Sequence, residues 1–198
     1  MRIGDLLIFL VKLKQFSHMV VFYIINCLRF QKLEFKSLII SPQIIVGRQY
    51  ISLFKGALVK ERSSLFAIPS NSQKPEIIIS QGCSLGYGNH IAAVKRVMIG
   101  KNVLTANNVY LSDNIHQYTD ILTPVMRQPI QFKKIVEIGD GSWIGENACI
   151  IGAKIGKNCV IGANAVVNSD IPDYCVAAGI PAKVIRRYNS DSGKWDKV

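Results

Sequence analysis

Between Ile138 and Val167 an aliphatic residue returns every six positions, at Ile138, Ile144, Ile150, Ile155, Ile161 and Val167, with one five-residue step from Ile150 to Ile155. Gly follows four of the six, and Ser142, Ala148, Lys154, Cys159, Ala165 and Ile171, mostly small, stand four places after each. A helix repeats near 3.6 residues and an isolated strand at 2, so a period of six fits neither. It fits a coil of very short strands joined by turns, with the aliphatic pointing inward and Gly or Asn-Gly taking the turn where positive φ is tolerated. Stacked coils satisfy each other's backbone N–H and C=O groups, so a repeat too short to fold alone becomes stable in an array. The expected fold is therefore all-β, a parallel β-helix of hexapeptide repeats.

The same period can be followed outside this stretch. Ile79, Leu85 and Ile91 are six apart, as are Ile99, Thr105 and Leu111, with a two-residue slip near Val97. From Ser112 to Lys134 the phase is lost in SDNIHQYTDILTPVMRQPIQFKK, which contains His116 and two prolines. A long excursion from a regular array is more often functional than accidental. The chain thus divides into four parts: residues 1–38, apolar, basic and helical; 39–76, irregular early coils in which Ile44–Gly47 and Ile51–Leu53 look like strands; 77–187, the β-helix with its excursion at 112–134 and a short closing segment; and 188–198, a polar, loosely ordered tail. Ser70–Pro75 reads as a turn or loop.

Residues 1–38 carry two apolar runs, Leu6–Val11 and Met19–Leu28, separated by Lys12, Lys14, Gln15, Ser17 and His18. Neither run reaches the ~20 residues of a spanning helix, and no small-residue cleavage site marks a signal peptide. Two readings stand: helices packed on the solenoid or on a neighbouring subunit, or a basic amphipathic anchor on an anionic membrane surface. The net charge of +11 calls for an anionic partner. No compact Lys/Arg run or nucleic-acid motif is present, so nucleic acid is not expected. The five cysteines, Cys27, Cys83, Cys149, Cys159 and Cys175, are scattered and odd in number, as in a reduced, cytoplasmic protein. The three histidines lack the short spacing of a metal site, and no metal is expected.

The run WIGENACIIGAKIGKNCVIGANAVVNSDIPDYCVAAGIPAKVIRR resembles the C-terminal signature of the hexapeptide-repeat acyltransferases, with Trp143-Ile144-Gly145, Asp170-Ile171-Pro172 and Gly179-x-Pro-Ala-Lys183 in order. The similarity covers Ile77 to Arg187 and is closest to the bacterial polysaccharide and lipopolysaccharide O-acetyltransferases. It implies a left-handed coil, a homotrimer, and acetyl-CoA bound between subunits along the C-terminal coils. By motif, the implied cofactor-binding residues are Gly145, Ala163, Asn168, Ser169, Lys183 and Arg186, the last two meeting the CoA phosphates, with Trp143 either a wall of the CoA channel or a packing residue between subunits. His116 falls on the family's catalytic position. A sugar hydroxyl needs a base near neutral pKa to attack a thioester, and imidazole supplies it; turn N–H groups can stabilise the oxyanion.

The activity implied is O-acetylation of a saccharide of a surface polysaccharide, O-antigen or capsule, or its precursor. The alternatives are N-acetylation of an amino sugar nucleotide or xenobiotic, or a non-catalytic scaffold. The position of the family's acceptor-contacting Asn falls here on Gly86, so acceptor contacts do not carry over. Asn89, His90 and Asn114 are the acceptor candidates, although His90 beside Ile91 reads first as a structural histidine.

Overall fold

The computed structural model describes residues 3–70 and 73–198, without the side chains of residues 3–12 and 15. Asn71 and Ser72 of the expected turn, and the side chains of Leu6–Val11, lie outside the described residues.

The strands wind into a left-handed parallel β-helix with three flat faces. Face 1 stacks Lys32–Leu33, Ile51–Leu53, Glu76–Ile79, Arg96–Ile99, Val136–Ile138 and Lys154–Ile155. Face 2 stacks Leu38–Ile39, Leu58–Val59, Ser84–Leu85, Leu104–Thr105, Trp143–Ile144, Val160–Ile161 and Cys175–Ala178. Face 3 stacks Ile44–Val46, Ser64–Ala67, His90–Ala93, Tyr110–Ser112, Cys149–Ile151 and Val166–Val167. Registers are in step throughout: Leu65 pairs with Ile91, Ile91 with Leu111, Leu111 with Ile150 and Ile150 with Val167. The inward aliphatics are buried to within a few per cent. Each contributes roughly 1.5–3 kcal/mol by leaving water, and each is wedged between identical positions above and below.

The coil starts at Lys32, within the segment expected to be helical, and its first turns keep the six-residue step through Leu33, Ile39 and Ile45, then Leu53, Val59 and Leu65. From face 1 to face 2, and from face 2 to face 3, the step is six in every turn. Every departure lies at the third corner, from face 3 to face 1. The early loop around Ser70, the slip before Val97, the excursion after Ser112 and the five-residue step after Ile150 all fall there. The irregularities therefore line one edge of a prism whose other two edges are uniform.

The glycines that follow the inward aliphatics do not supply the positive φ expected of them. Gly139 has no positive φ; a Cβ there would come 2.5 Å from the backbone carbon of Gly156 in the next coil. Positive φ instead falls two residues later, at Asn102, Gly141 and Asn158 on one edge and Asn108, Asn147 and Asn164 on the other. Asn tolerates the left-handed region, because its short amide bonds locally. The two glycine roles are thus separate: close approach between coils, and backbone reversal.

One helix, α1 (Ile3–Asn26), precedes the coil. Phe22 and Tyr23 pack on the first turns, with Phe22 against Phe30 (6.1 Å between centroids) and Tyr23 edge-on to Phe35 (5.5 Å). Leu13, Phe16, Val21 and Ile24 are exposed, as is Leu28 just beyond the helix, and of these Phe16 and Val21 also border grooves between the helix and the first coils. Among the described residues no helix is long and apolar enough to cross a membrane.

At the far end the chain reverses. Lys183–Asn189 pairs antiparallel with Cys175–Ala178, and Lys194–Lys197 pairs with it in turn. The tail expected to be loose is therefore a strand, held by Tyr188 edge-on to Trp195 and by Asn189 Nδ2 donating to Asp196 (2.9 Å).

Candidate active site

The excursion leaves face 3 at Ser112 and folds into a two-stranded antiparallel ribbon, Asn114–His116 against Ile130–Phe132. His116 pairs with Ile130 and is exposed. The ribbon's base is fastened by Asp113, whose side chain is fully buried. Its carboxylate accepts the backbone N–H groups of Val94 (2.9 Å), Lys95 (2.7 Å) and Arg96 (2.7 Å), and the amide of Asn114 (2.8 Å). Bonds to an ionised acceptor are about twice as strong as neutral ones, so the clamp sets where the excursion emerges. Sequence reasoning missed Asp113; its only mark is a carboxylate standing where the repeat breaks.

The other end of the excursion is tied as well. Lys134 Nζ bonds both oxygens of Asp170 (2.8 and 2.7 Å), and Asp170 also accepts Lys154 N–H (2.9 Å). The Lys134 ammonium, and then the Lys154 N–H, hold the Asp170 carboxyl below its usual range. Asn168 and Ser169, exposed just before Asp170, lie with His116 along the irregular edge.

The remaining expected cofactor residues gather elsewhere. Gly145 and Ala163 occupy successive turns of the face 2 to face 3 edge, where a Cβ on Gly145 would sit 2.6 Å from the Ala163 nitrogen. Trp143 projects from face 2, about half exposed. Registers run from Trp143 to Val160, to Val176 and to Arg186, so one outer column carries the indole at one end and the guanidinium at the other. Lys183 pairs with Ala178 beside it. Within one chain the candidates therefore form two groups flanking face 3: His116, Asn168 and Ser169 on one side, and Trp143, Gly145, Ala163, Lys183 and Arg186 on the other. The second group fits an extended thiol-bearing nucleotide arm, with small turn residues for close approach and cations at one end.

Two of the three acceptor candidates, Asn89 and Asn114, are engaged elsewhere, and the third, His90, is exposed on face 3. Asn89 is buried; its amide donates to Gly86 O (2.6 Å) and Thr105 Oγ1 (3.0 Å) and accepts from Val109 N–H (2.8 Å), satisfying the one hydroxyl among the inward positions of face 2. That leaves it no reach to a ligand. His90 stacks on Phe66 (5.1 Å, 28°) and against Tyr110 (5.2 Å), and burial pulls its pKa down. Asn114 is spent on Asp113 and the Ala92 carbonyl. No cluster of three or more His, Cys, Asp or Glu able to hold a metal occurs among the described residues.

Comparison with known proteins agrees with this architecture. The sequence profile of the hexapeptide repeat of succinyl-transferase matches residues 135–169. A putative lipopolysaccharide biosynthesis O-acetyl transferase of Escherichia coli strain K12 is 36% identical over 117 residues, 55% of this chain and 59% of that protein. A putative acetyltransferase of Schizosaccharomyces pombe is 31% identical over 150 residues, 68% of this chain and 71% of that protein. The crystal structure of a maltose O-acetyltransferase from Clostridium difficile 630 superposes with a TM-score of 0.55 at 27% identity, covering 81% of this chain and 71% of that one. The chain spans 34 to 61% of the length of several other curated relatives and of the E. coli protein.

Proposed function

The chain belongs to the hexapeptide-repeat acyltransferase family, and from that premise we propose that it transfers an acetyl group from acetyl-CoA to a sugar hydroxyl, with His116 as general base. The observation that carries this reading is the placement of His116. It stands exposed on the long excursion at the irregular edge, whereas His90, also exposed, lies on the regular face 3 in a stack with Phe66 and Tyr110. His116 takes the proton of the acceptor hydroxyl as that oxygen bonds to the acetyl carbonyl carbon. It returns the proton to the departing sulfur as the C–S bond breaks, so one imidazole serves both steps.

The split of the cofactor candidates across face 3 supports a homotrimer. A donor gripped by Trp143, Gly145, Ala163, Lys183 and Arg186 of one copy would meet His116, Asn168 and Ser169 of the next. The similarity to the E. coli protein favours a saccharide of a surface polysaccharide or its precursor as acceptor. The outer stripe of α1, flanked by Lys14 and Arg29, suits peripheral contact with an anionic membrane surface from the cytoplasmic side.

Calorimetry with acetyl-CoA on wild type and His116→Ala, with CoA release followed against a sugar panel, tests the proposal. Both proteins should bind, and turnover should fall about 10²- to 10⁴-fold in the variant. Undiminished turnover in His116→Ala would remove the base.

A further inference from the structure

Beside the ribbon lies a cleft of about 380 Å³, between the loop after face 3 at Ser70 and the excursion. Gln117, next in chain to His116, and Ile130, directly across the ribbon from it, both line this cleft. Ser70, Gln73 and Gln131 add further hydrogen-bonding groups, and Phe132 adds an aromatic wall. Lys95 Nζ sits 4.9 Å over the Phe132 ring and covers part of it from outside the lining. Among the described residues no ionisable side chain lines the cleft.

These properties select a ligand class. A carboxamide both donates and accepts, as a sugar hydroxyl does, so Gln73 and Gln131, with the oxygen and second N–H of Gln117, whose amide also donates to Thr119 Oγ1 (3.0 Å), can pair with hydroxyls of differing orientation. Val94, Ile130 and Phe132 offer apolar surface to a C–H face. A nucleotide or other phosphate would call for cations or aligned backbone N–H groups in the lining. The volume falls at the small end of ligand sites, which run from roughly 300 to 1,000 Å³. We propose that this cleft binds one uncharged pyranose ring of the acceptor, with Gln73, Gln117 and Gln131 as the residues that discriminate among acceptors. The proposal rests on the acetyl-transfer reading for its biological sense, but the binding it asserts can be measured separately.

Two readouts separate the two ideas. Binding is followed by side-chain amide NMR on the full chain with a panel of neutral methyl glycosides and their uronic-acid counterparts. A preferred neutral glycoside should shift the Gln73, Gln117 and Gln131 amide signals, and Gln73→Ala or Gln131→Ala should weaken it at least fivefold. In the transfer assay the same variants should raise the acceptor KM at least fivefold while kcat stays within threefold and the acetyl-CoA Kd within twofold. Glycoside binding at these amides without acetyl transfer would keep the cleft and sink the enzymatic reading. Transfer with KM unchanged in both variants, or a tenfold preference for the uronic acids, would overturn the cleft's assignment.

Discussion

Asp113→Ala is the substitution whose consequence can be worked most fully from the structure. The change removes the acceptor of three backbone N–H groups, at Val94, Lys95 and Arg96, from a fully buried position. Bonds to a charged partner each contribute about 1.5–3 kcal/mol, and a buried donor left without one costs about 1–3 kcal/mol. The three do not add in full, because Lys95 and Arg96 are only partly buried there and water can reach their donors. The expected loss is therefore about 3–5 kcal/mol, a fall in Tm of roughly 6 to 20 °C for a chain of this size. Guanidinium unfolding at fixed protein concentration measures the total, and hydrogen exchange at the amides of 94–96 localises it. Asp113→Asn keeps one acceptor oxygen and should fall between. A loss below about 1 kcal/mol, or unchanged exchange at those three amides, would refute the clamp.

Gly139→Ala should cost about 1–3 kcal/mol by overpacking against Gly156, although Gly139 has no positive φ. Gly56→Asn should cost less, about 1 kcal/mol or below, because the nearest atom to an added Cβ is 3.7 Å away and only the strain of φ +76° remains, which asparagine tolerates better than other side chains; chemical denaturation of both variants checks the contrast. The Asp170 carboxyl, held low by Lys134, should titrate below the ordinary aspartate range by NMR and move upward in Lys134→Met. A depressed folded pKa contributes stability above the unfolded value and loses it as pH falls through the folded one, so the Tm gap between wild type and Lys134→Met should close in acid. Burial first, then the nearby Asp140 charge, pushes the Cys83 thiol up to about 11 against the bonds that lower it, so thiol-reactive dye at pH 8 should label the half-buried Cys27 and Cys149 well before Cys83.

How far the chain could be read in advance depended on which residues carry the coil. From Ile77 onward the aliphatic is often marked by a following Gly, and the period is plain. In the first coils Phe54, Lys60 and Phe66 follow Leu53, Val59 and Leu65, so the step of six is present without its usual punctuation. The glycine role was misassigned because sequence shows only that a side chain is missing. Whether a Cβ is barred by φ or by the next coil depends on a neighbour about 20 residues away. His116 is singled out in the sequence by resemblance and by the broken repeat. Asp113 was not, since its partners at 94–96 lie one coil earlier and meet it only at the corner. Asn89 looked like a free amide near an acceptor position, but the buried hydroxyl of Thr105 gives it an internal task.

The confinement of every length change to one edge has a consequence for how such a chain can vary. The excursion roughly doubles the contour between Leu111 and its partner Ile150 compared with that between Ile91 and Leu111. Loop closure makes a doubling cost only about 0.6 kcal/mol, a small fraction of what one buried coil supplies. The other two edges, where side chains ladder from coil to coil, feel nothing, because a residue added at the third corner shifts no register on either. Insertions and deletions there are close to thermodynamically silent. A lineage can therefore rebuild the ribbon and the loop at Ser70 while the column from Trp143 to Arg186 keeps its spacing.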